Sequence, residues 1–202
     1  MLVVLIVLLS INQISFAENE SKGSNTNSLA LEKATFAAGC FWCIQPPFDK
    51  IKGVRSATVG YTGGHKENPT YEEVSTGRTG HCESIEIIYD PKEIGYSQLL
   101  EVFWHYVDPT TPNQQFSDTG SQYRTAIFYH NEEQKELAEA SREKLDKSGI
   151  FGKPIVTEIT PASKFYPAEE YHQKYYQKNP IGYQLYHAAS GRDQYQKKIW
   201  KN

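Results

Sequence analysis

Residues 33–43 read Lys33-Ala34-Thr35-Phe36-Ala37-Ala38-Gly39-Cys40-Phe41-Trp42-Cys43. The apolar run predicts a strand over Lys33–Ala38, and a helix opens near Cys40. A thiol at a helix start faces unpaired backbone N–H groups and the positive end of the helix dipole. Both favour the thiolate, and they draw a cysteine pKa down from about 8.5 toward roughly 3.5–7.5. Two large aromatics follow directly, and Cys43 lies one helical turn on, on the same side. The pattern is that of a nucleophile with an apolar wall and a redox partner beside it.

Outward from this stretch, strands and helices alternate. Pro46 and Pro47 fall beyond the first turn and predict an irregular helix. Val54–Thr62 is a strand ending in the Gly63-Gly64 turn signal. A short helical piece over Tyr71–Val74 has Thr70 as its cap. Glu83–Tyr89 is a strand with Glu83, Ile85, Ile87 and Tyr89 on one face and Cys82, Ser84 and Glu86 on the other. Ser97 is the expected cap of an amphipathic helix over Leu99–Val107. A strand is expected over Gln122–Tyr129, then a long charged helix from the Asn131 cap to Ser148, closed by Gly149. Ile155–Ile159 reads as the final strand, and Pro167 suits the first turn of a last helix. There is no internal repeat. The alternation implies an α+β protein, a two-layer α/β sandwich.

With 202 residues, 39% hydrophobic and 22% charged, the chain suits one globular domain. A net charge of -3 with scattered Lys and Arg excludes a nucleic-acid footprint, and a monomer is expected. Residues 2–11 (LVVLIVLLSI) fall short of the ~20 needed to span a bilayer. Ser15-Phe16-Ala17 then supplies small residues of the kind a signal peptidase reads. The expectation is a signal peptide over 1–17, a polar disordered leader over 18–30, a catalytic domain over 31–202, and an exported protein, periplasmic or secreted. The n-region has no Lys or Arg, so an uncleaved anchor is the alternative. Three cysteines, an odd count, point to reacting rather than stapling thiols.

Cys40 is the candidate nucleophile and Cys43 its candidate partner, the two sulfurs placed to form a disulfide or to bind a metal. Zinc would need two further ligands, for which Cys82 with His81 or His65 are the candidates, but no second CxxC completes a site. Glu83 shares a strand face with Ile85 and Ile87, where a carboxyl has a raised pKa and can stay protonated as an acid; a solvated strand-edge Glu is the alternative. A thiol–disulfide oxidoreductase and a metal-binding exported module are the rival readings, and neither accounts for the remaining motifs.

Those motifs are Gly39-Cys40-Phe41-Trp42, Gly60-Tyr61-Thr62-Gly63-Gly64, Asn68-Pro69-Thr70-Tyr71 and Gly80-His81-Cys82-Glu83. Asp118-Thr119-Gly120-Ser121-Gln122-Tyr123-Arg124 follows, then Tyr171-His172-Gln173 with Lys178-Asn179-Pro180. In this order and spacing the chain resembles the methionine sulfoxide reductase A family. The resemblance implies a mixed central sheet, a ferredoxin-like core and an irregular C-terminal extension. It implies reduction of methionine-(S)-sulfoxide, free or in proteins, with no cofactor and no metal. It also implies roles: Phe41 and Trp42 cradle the S-methyl group, Cys40 attacks sulfur, Glu83 is the acid, and Tyr71 and Tyr123 donate hydrogen bonds. Asp118 helps bind substrate through water. Cys40 is left as a sulfenic acid, which a second thiol converts to a disulfide for a thioredoxin-like reductant to reopen. Many members carry Gly at the Cys43 position and resolve with tail cysteines, whereas here no cysteine follows Cys82. Cys43 is the expected resolving thiol and Cys82 the alternative. Gln45 stands where Glu is usual. Residues 190–200 resemble the segment that follows the A domain in fused reductases.

Overall fold

The computed structural model describes residues 30–200. The signal peptide expected over 1–17 lies outside the described residues, as does all but the last position of the leader expected over 18–30.

The opening apolar run forms β1 (Glu32–Ala38), and α1 (Phe41–Asp49) follows with Cys40 at its N-cap. Next come β2 (Val54–Thr62) and the short helix α2 (Tyr71–Ser75). Thr70 caps α2, its hydroxyl accepting from the Glu73 N–H while the Glu73 carboxylate accepts from the Thr70 N–H. β3 (Cys82–Tyr89) and α3 (Tyr96–Tyr106) lead into a small hairpin of β4 (Gln114–Gln115) and β5 (Asp118–Thr119). Beyond it lie β6 (Thr125–Tyr129), α4 (Glu132–Ser148), β7 (Glu158–Pro161) and β8 (Tyr166–Pro167). The C-terminal extension holds a 3-10 turn at Glu170–His172, then α5 (Tyr175–Lys178), α6 (Pro180–Ala189) and α7 (Arg192–Trp200).

The main sheet has the order β7-β6-β1-β3-β2-β8. Its pairings are antiparallel except β6 with β7, so the sheet is mixed. Its inner part, β6-β1-β3-β2, joined through α1 and α3, is the expected ferredoxin-like core. Alternation along the strands sends Phe36 to the helical face, where it stacks on Phe48 at 5.6 Å and on Phe103 at 5.2 Å. Each such buried ring stabilises the fold by about 1.5–3 kcal/mol relative to exposure. Ala37, Cys82, Ala126 and Phe128 form a smaller cluster on the opposite face.

Several local expectations are corrected. α1 runs unbroken through Pro46 and Pro47, because its neighbours hold it. Phe48 is buried, and Gln45 donates to the Ala57 carbonyl while accepting from the Lys174 N–H. The cap of α3 is Gly95 rather than Ser97, with the Gln98 side chain accepting from the Gly95 N–H. The expected strand over Gln122–Tyr129 begins only at Thr125. Residues 121–123 instead form a 3-10 turn entered through Gly120 at φ 139, with Gln122 bonded to the Ser75 carbonyl. The strand expected over Ile155–Ile159 is displaced to β7, because the Val156 N–H is taken by the Pro109 carbonyl before pairing with β6 starts. Pro167 does not open a helix. It lies in β8 opposite Gly60, an edge position where a missing N–H is tolerated.

Gly39 joins β1 to α1 at φ +73, and a Cβ there would lie 2.4 Å from the Gln115 Cβ. Gly149, also at positive φ (+68), has open space around it. Gly39→Ala should therefore cost about 2–4 kcal/mol in denaturant unfolding, combining backbone strain with overpacking, against about 1 kcal/mol for Gly149→Ala. Equal costs at the two positions would contradict the packing assigned to Gly39.

Candidate active site

Cys40 enters α1 from a non-helical conformation, and its carbonyl accepts from the Cys43 N–H at 3.1 Å. Another N–H of that first turn, Phe41, donates to Glu83 Oε2 at 3.0 Å, tying the helix start to the centre of the sheet. Glu83 is buried. Burial, then the nearby Cys40, pushes its carboxyl well above the usual carboxylate range, against the opposing bond from Phe41. Glu83 is thus a protonated acid beside the thiol.

Tyr71 opens α2, and Tyr123 closes the 3-10 turn after β5. Burial raises both phenols, and Glu83 and Cys40 act electrostatically on each. Both therefore keep their protons. Phe41 is fully buried against Tyr61 (5.9 Å) and His172 (5.0 Å). Trp42 is half-buried, stacks on Tyr175 at 3.9 Å, and donates from Nε1 to His172 Nδ1 at 3.0 Å. Burial lowers the His172 pKa, so the ring is neutral and accepts this bond, with its proton on Nε2. Tyr71 packs on the same imidazole at 4.4 Å. Glu169 accepts from the Tyr61 hydroxyl at 2.8 Å and from the Tyr71 N–H at 2.9 Å.

The extension closes the site from outside. The Tyr186 hydroxyl lies 2.7 Å and 2.6 Å from the two Asp118 oxygens and within reach of Cys40. Arg192, at 2% exposure, pairs with Asp118 Oδ2 at 3.4 Å. Under this cover Cys40 is only 6% exposed.

A thiol, a protonated carboxyl and two phenols thus converge beside an aromatic wall. Such a set can attack an electrophilic atom and deliver a proton to the oxygen it carries. Comparison with known proteins gives the same direction. Residues 32–202 match the family model described as peptide methionine sulfoxide reductase.

The chain belongs to the peptide methionine sulfoxide reductase family.

It is 56% identical over 171 residues to a Bacillus pumilus protein named peptide methionine sulfoxide reductase MsrA, covering 85% of this chain and 96% of that one. Among solved structures it is similar to reduced Mxr1 from Saccharomyces cerevisiae (TM-score 0.71, 34% identity, 75% of this chain and 87% of that one). The same yeast protein in complex with Trx2 also matches, at TM-score 0.51 and 25% identity, over 72% and 84% of the two chains. The chain is accordingly an oxidoreductase that reduces methionine sulfoxide with thiols. The fold also sets aside the thioredoxin-like reading of the CxxC.

The structure brings together the eight residues to which the resemblance gave catalytic or substrate-binding roles: Cys40, Cys43, Glu83, Tyr71, Tyr123, Phe41, Trp42 and Asp118. One expectation about them is overturned. Cys40 is not a low-pKa thiol in this closed arrangement. Burial, then its hydrogen bond to Cys43, holds it well above the ordinary value, outweighing the helix N-terminus. The hydrogen bond from Cys40, aided by Arg192, lowers Cys43 instead, against its own burial. Cys82 lies on the far sheet face among Ala37, Ala126 and Phe128, its thiol directed to the Thr62 carbonyl at 3.5 Å. His81, weighed as a zinc ligand, has both ring nitrogens committed to backbone, to the Gly64 N–H and the Lys66 carbonyl.

Sequence reasoning gave no role to Tyr186, which nothing local distinguishes from the other tyrosines, or to Arg192, which stood in the 190–200 segment without a function. It quoted His172 as part of a motif without a function; the signal available was a His in a Tyr-rich segment.

Glu83 holds its proton in the folded chain to higher pH than in the unfolded chain, so folding binds a proton above about pH 4.5. Wild-type stability should fall as pH rises through this window, and Glu83→Gln, which cannot titrate, should not share the loss. The advantage of Glu83→Gln should grow with pH by up to about 1.4 kcal/mol per unit until the folded pKa is reached. Urea unfolding of both proteins between about pH 5 and about pH 7.5 measures it; a constant difference would place the carboxylate charged in the fold.

Proposed function

We propose that the chain reduces the S epimer of methionine sulfoxide, free and in proteins, with Cys40 as nucleophile and Cys43 as resolving thiol. The observation that carries this reading is the protonated Glu83 carboxyl, one hydrogen bond from the helix turn bearing Cys40. Substrate displaces Tyr186 from the Cys40 side of the site, and the methyl group packs against Trp42 over the Phe41 floor. Cys40 passes its proton along the hydrogen bond to Cys43 and attacks the sulfoxide sulfur. Glu83 protonates the oxygen as negative charge builds there, with Tyr71 and Tyr123 donating to it and Asp118 ordering a water. The sulfoxide S–O bond and the transient S–S bond to methionine break as the oxygen passes to the Cys40 sulfur; methionine leaves reduced by two electrons, and Cys40 carries the hydroxyl as a sulfenic acid.

Cys43 then forms a disulfide with Cys40, and a thioredoxin-type dithiol reduces it; the yeast relative's complex with Trx2 supports that choice of reductant. The separation of Cys82 across the sheet supports Cys43. The catalytic domain spans 31–202 and acts as a monomer without metal or cofactor. Residues 1–17 direct export, as a cleaved signal or an anchor, on the strength of the apolar run over 2–11; N-terminal sequencing of the purified protein distinguishes the two.

Resolved sulfoxide epimers test the reading. The wild-type chain should consume the S form alone, and Cys40→Ser should abolish the reaction. Cys43→Ser should yield a single methionine per enzyme and then stop with thioredoxin. Glu83→Gln should lower kcat about 10²–10³-fold, as loss of an oxyanion-stabilising donor does. Consumption of both epimers, or turnover without Cys40, would overturn the assignment.

A further inference from the structure

Arg192 is the first residue of α7 and the largest of the fully buried side chains. Its charge has few partners. The pairing with Asp118 is long at 3.4 Å, and both Asp118 oxygens already receive the Tyr186 hydroxyl. Among the described residues Arg192 Nε has no hydrogen-bond partner, and the guanidinium lies over the Phe116 ring at 4.6 Å. Its Nη2 comes within 3.2 Å of where a Gly39 Cβ would stand, against the backbone that leads into Cys40. A buried cation is costly unless an anion offsets it. Asp118 is the anion already paired with it, and Cys43, Cys40 and Tyr186 are the further groups around it that can become anionic, with Cys43 in hydrogen-bond reach of the guanidinium.

The geometry points to Arg192 as the residue that holds Cys43 in its thiolate form for attack on the Cys40 sulfenic acid, an assignment that rests on Cys43 being the resolving thiol. After methionine departs, Cys43 gives the proton it took from Cys40 to the Glu83 carboxylate. The Cys43 sulfur then attacks the Cys40 sulfur. The S–S bond forms, the S–O bond breaks, and the oxygen leaves as water with the proton that Glu83 returns. One thiol and one sulfenic acid become one disulfide and one water, with no outside oxidant. Arg192 is desolvated, so its field on Cys43 is unscreened. The other ionisable groups facing the pair are Cys40, Asp118, Tyr183, Tyr186 and Glu83. His187 and Asp193 flank Arg192 on the side of α6 and α7, Asp118 opposes the thiolate, and Arg192 is the cation that acts on Cys43 among the described residues.

The alternative is that Arg192 only docks the extension onto Asp118. A pH profile separates the two. The full-length chain is loaded with stoichiometric S-sulfoxide, and the conversion of sulfenic acid to disulfide is followed with a sulfenic-acid trap across pH. In Arg192→Met the midpoint of this step should rise by about one unit. A thiolate at higher pKa is scarcer but more nucleophilic, so the step at neutral pH should slow by about three- to tenfold. Arg192→Lys should restore most of the midpoint because it keeps the charge. Arg192→Gln, neutral and smaller, replaces the Met variant if that does not fold, with the same expectation. A neutral variant that resolves with the wild-type midpoint overturns the proposal, as does a shift in Arg192→Lys equal to that in Arg192→Met. Cys43→Ser in the same assay should leave the sulfenic acid standing. If it does not, the resolving thiol itself is misassigned, a failure distinct from that of Arg192.

Discussion

The hydrogen bond from the Phe41 amide to the Glu83 carboxyl joins the first turn of α1 to the central strand β3, and the site is arranged about it. The strand period places Glu83 on the helical face with Ile85 and Ile87, where a charge would be costly, so the group stays neutral. The helix start supplies an amide with no intrahelical partner, which satisfies one carboxyl oxygen. The carboxyl proton is left free to face the thiol side. A shift of β3 by one residue would exchange Glu83 for Cys82 and turn the acid out of the site. The register Tyr61 opposite Glu83 and Thr62 opposite Cys82 is therefore as much part of the chemistry as the side chains are.

Covering the site changes what the helix N-terminus can achieve. An exposed thiol at the N-cap of α1 would ionise easily, but burial and the neighbouring Cys43 hold this one's pKa up, against a hydrogen bond with Tyr186 that favours the thiolate. Exclusion of water also strengthens every remaining interaction, from the Glu83 proton to the Arg192 cation. The resting protein is thus quiescent at Cys40 and polarised around it. Tyr186 stands over the sulfur and engages Asp118, so the two features of the cover are joined in one side chain.

Features set by local chemistry were legible in the sequence. β1, β2 and the two-layer order follow from alternation, and the α2 cap follows from Thr70 with Glu73 three residues on. Glu83 could be placed on the correct strand face because a period of two leaves no choice. Illegible features depend on residues distant in the chain. Gln122–Tyr129 looks like a strand until Gly120 and the Ser75 carbonyl force a turn, and Pro167 looks like a helix start until β2 offers it an edge. Gln45 departs from the family's usual Glu, and its reason lies in two distant partners. A neutral amide can donate to the Ala57 carbonyl and accept from the Lys174 N–H, which one carboxylate cannot do. Arg192 and Tyr186 were invisible for the same cause: their meaning is created by contact with Asp118.

The two prolines of α1 belong to the same chemistry. A helical N–H at position 46 would bond the Trp42 carbonyl and one at position 47 the Cys43 carbonyl, and proline supplies neither. The turn that bears both thiols is therefore tied to the rest of α1 by fewer hydrogen bonds than an ordinary turn, while Phe48 and Gln45 anchor the helix beyond it. Cys40 is already outside helical geometry at ψ 118. Positions three apart at a helix start lie within the Cα separation of about 4.4–6.8 Å that a disulfide spans, but the sulfurs must still turn toward each other. A loosely bonded first turn on a firmly anchored helix lets that rotation occur without unpacking the core, which is what the resolving role proposed for Cys43 would require and a thiol on a tail would not.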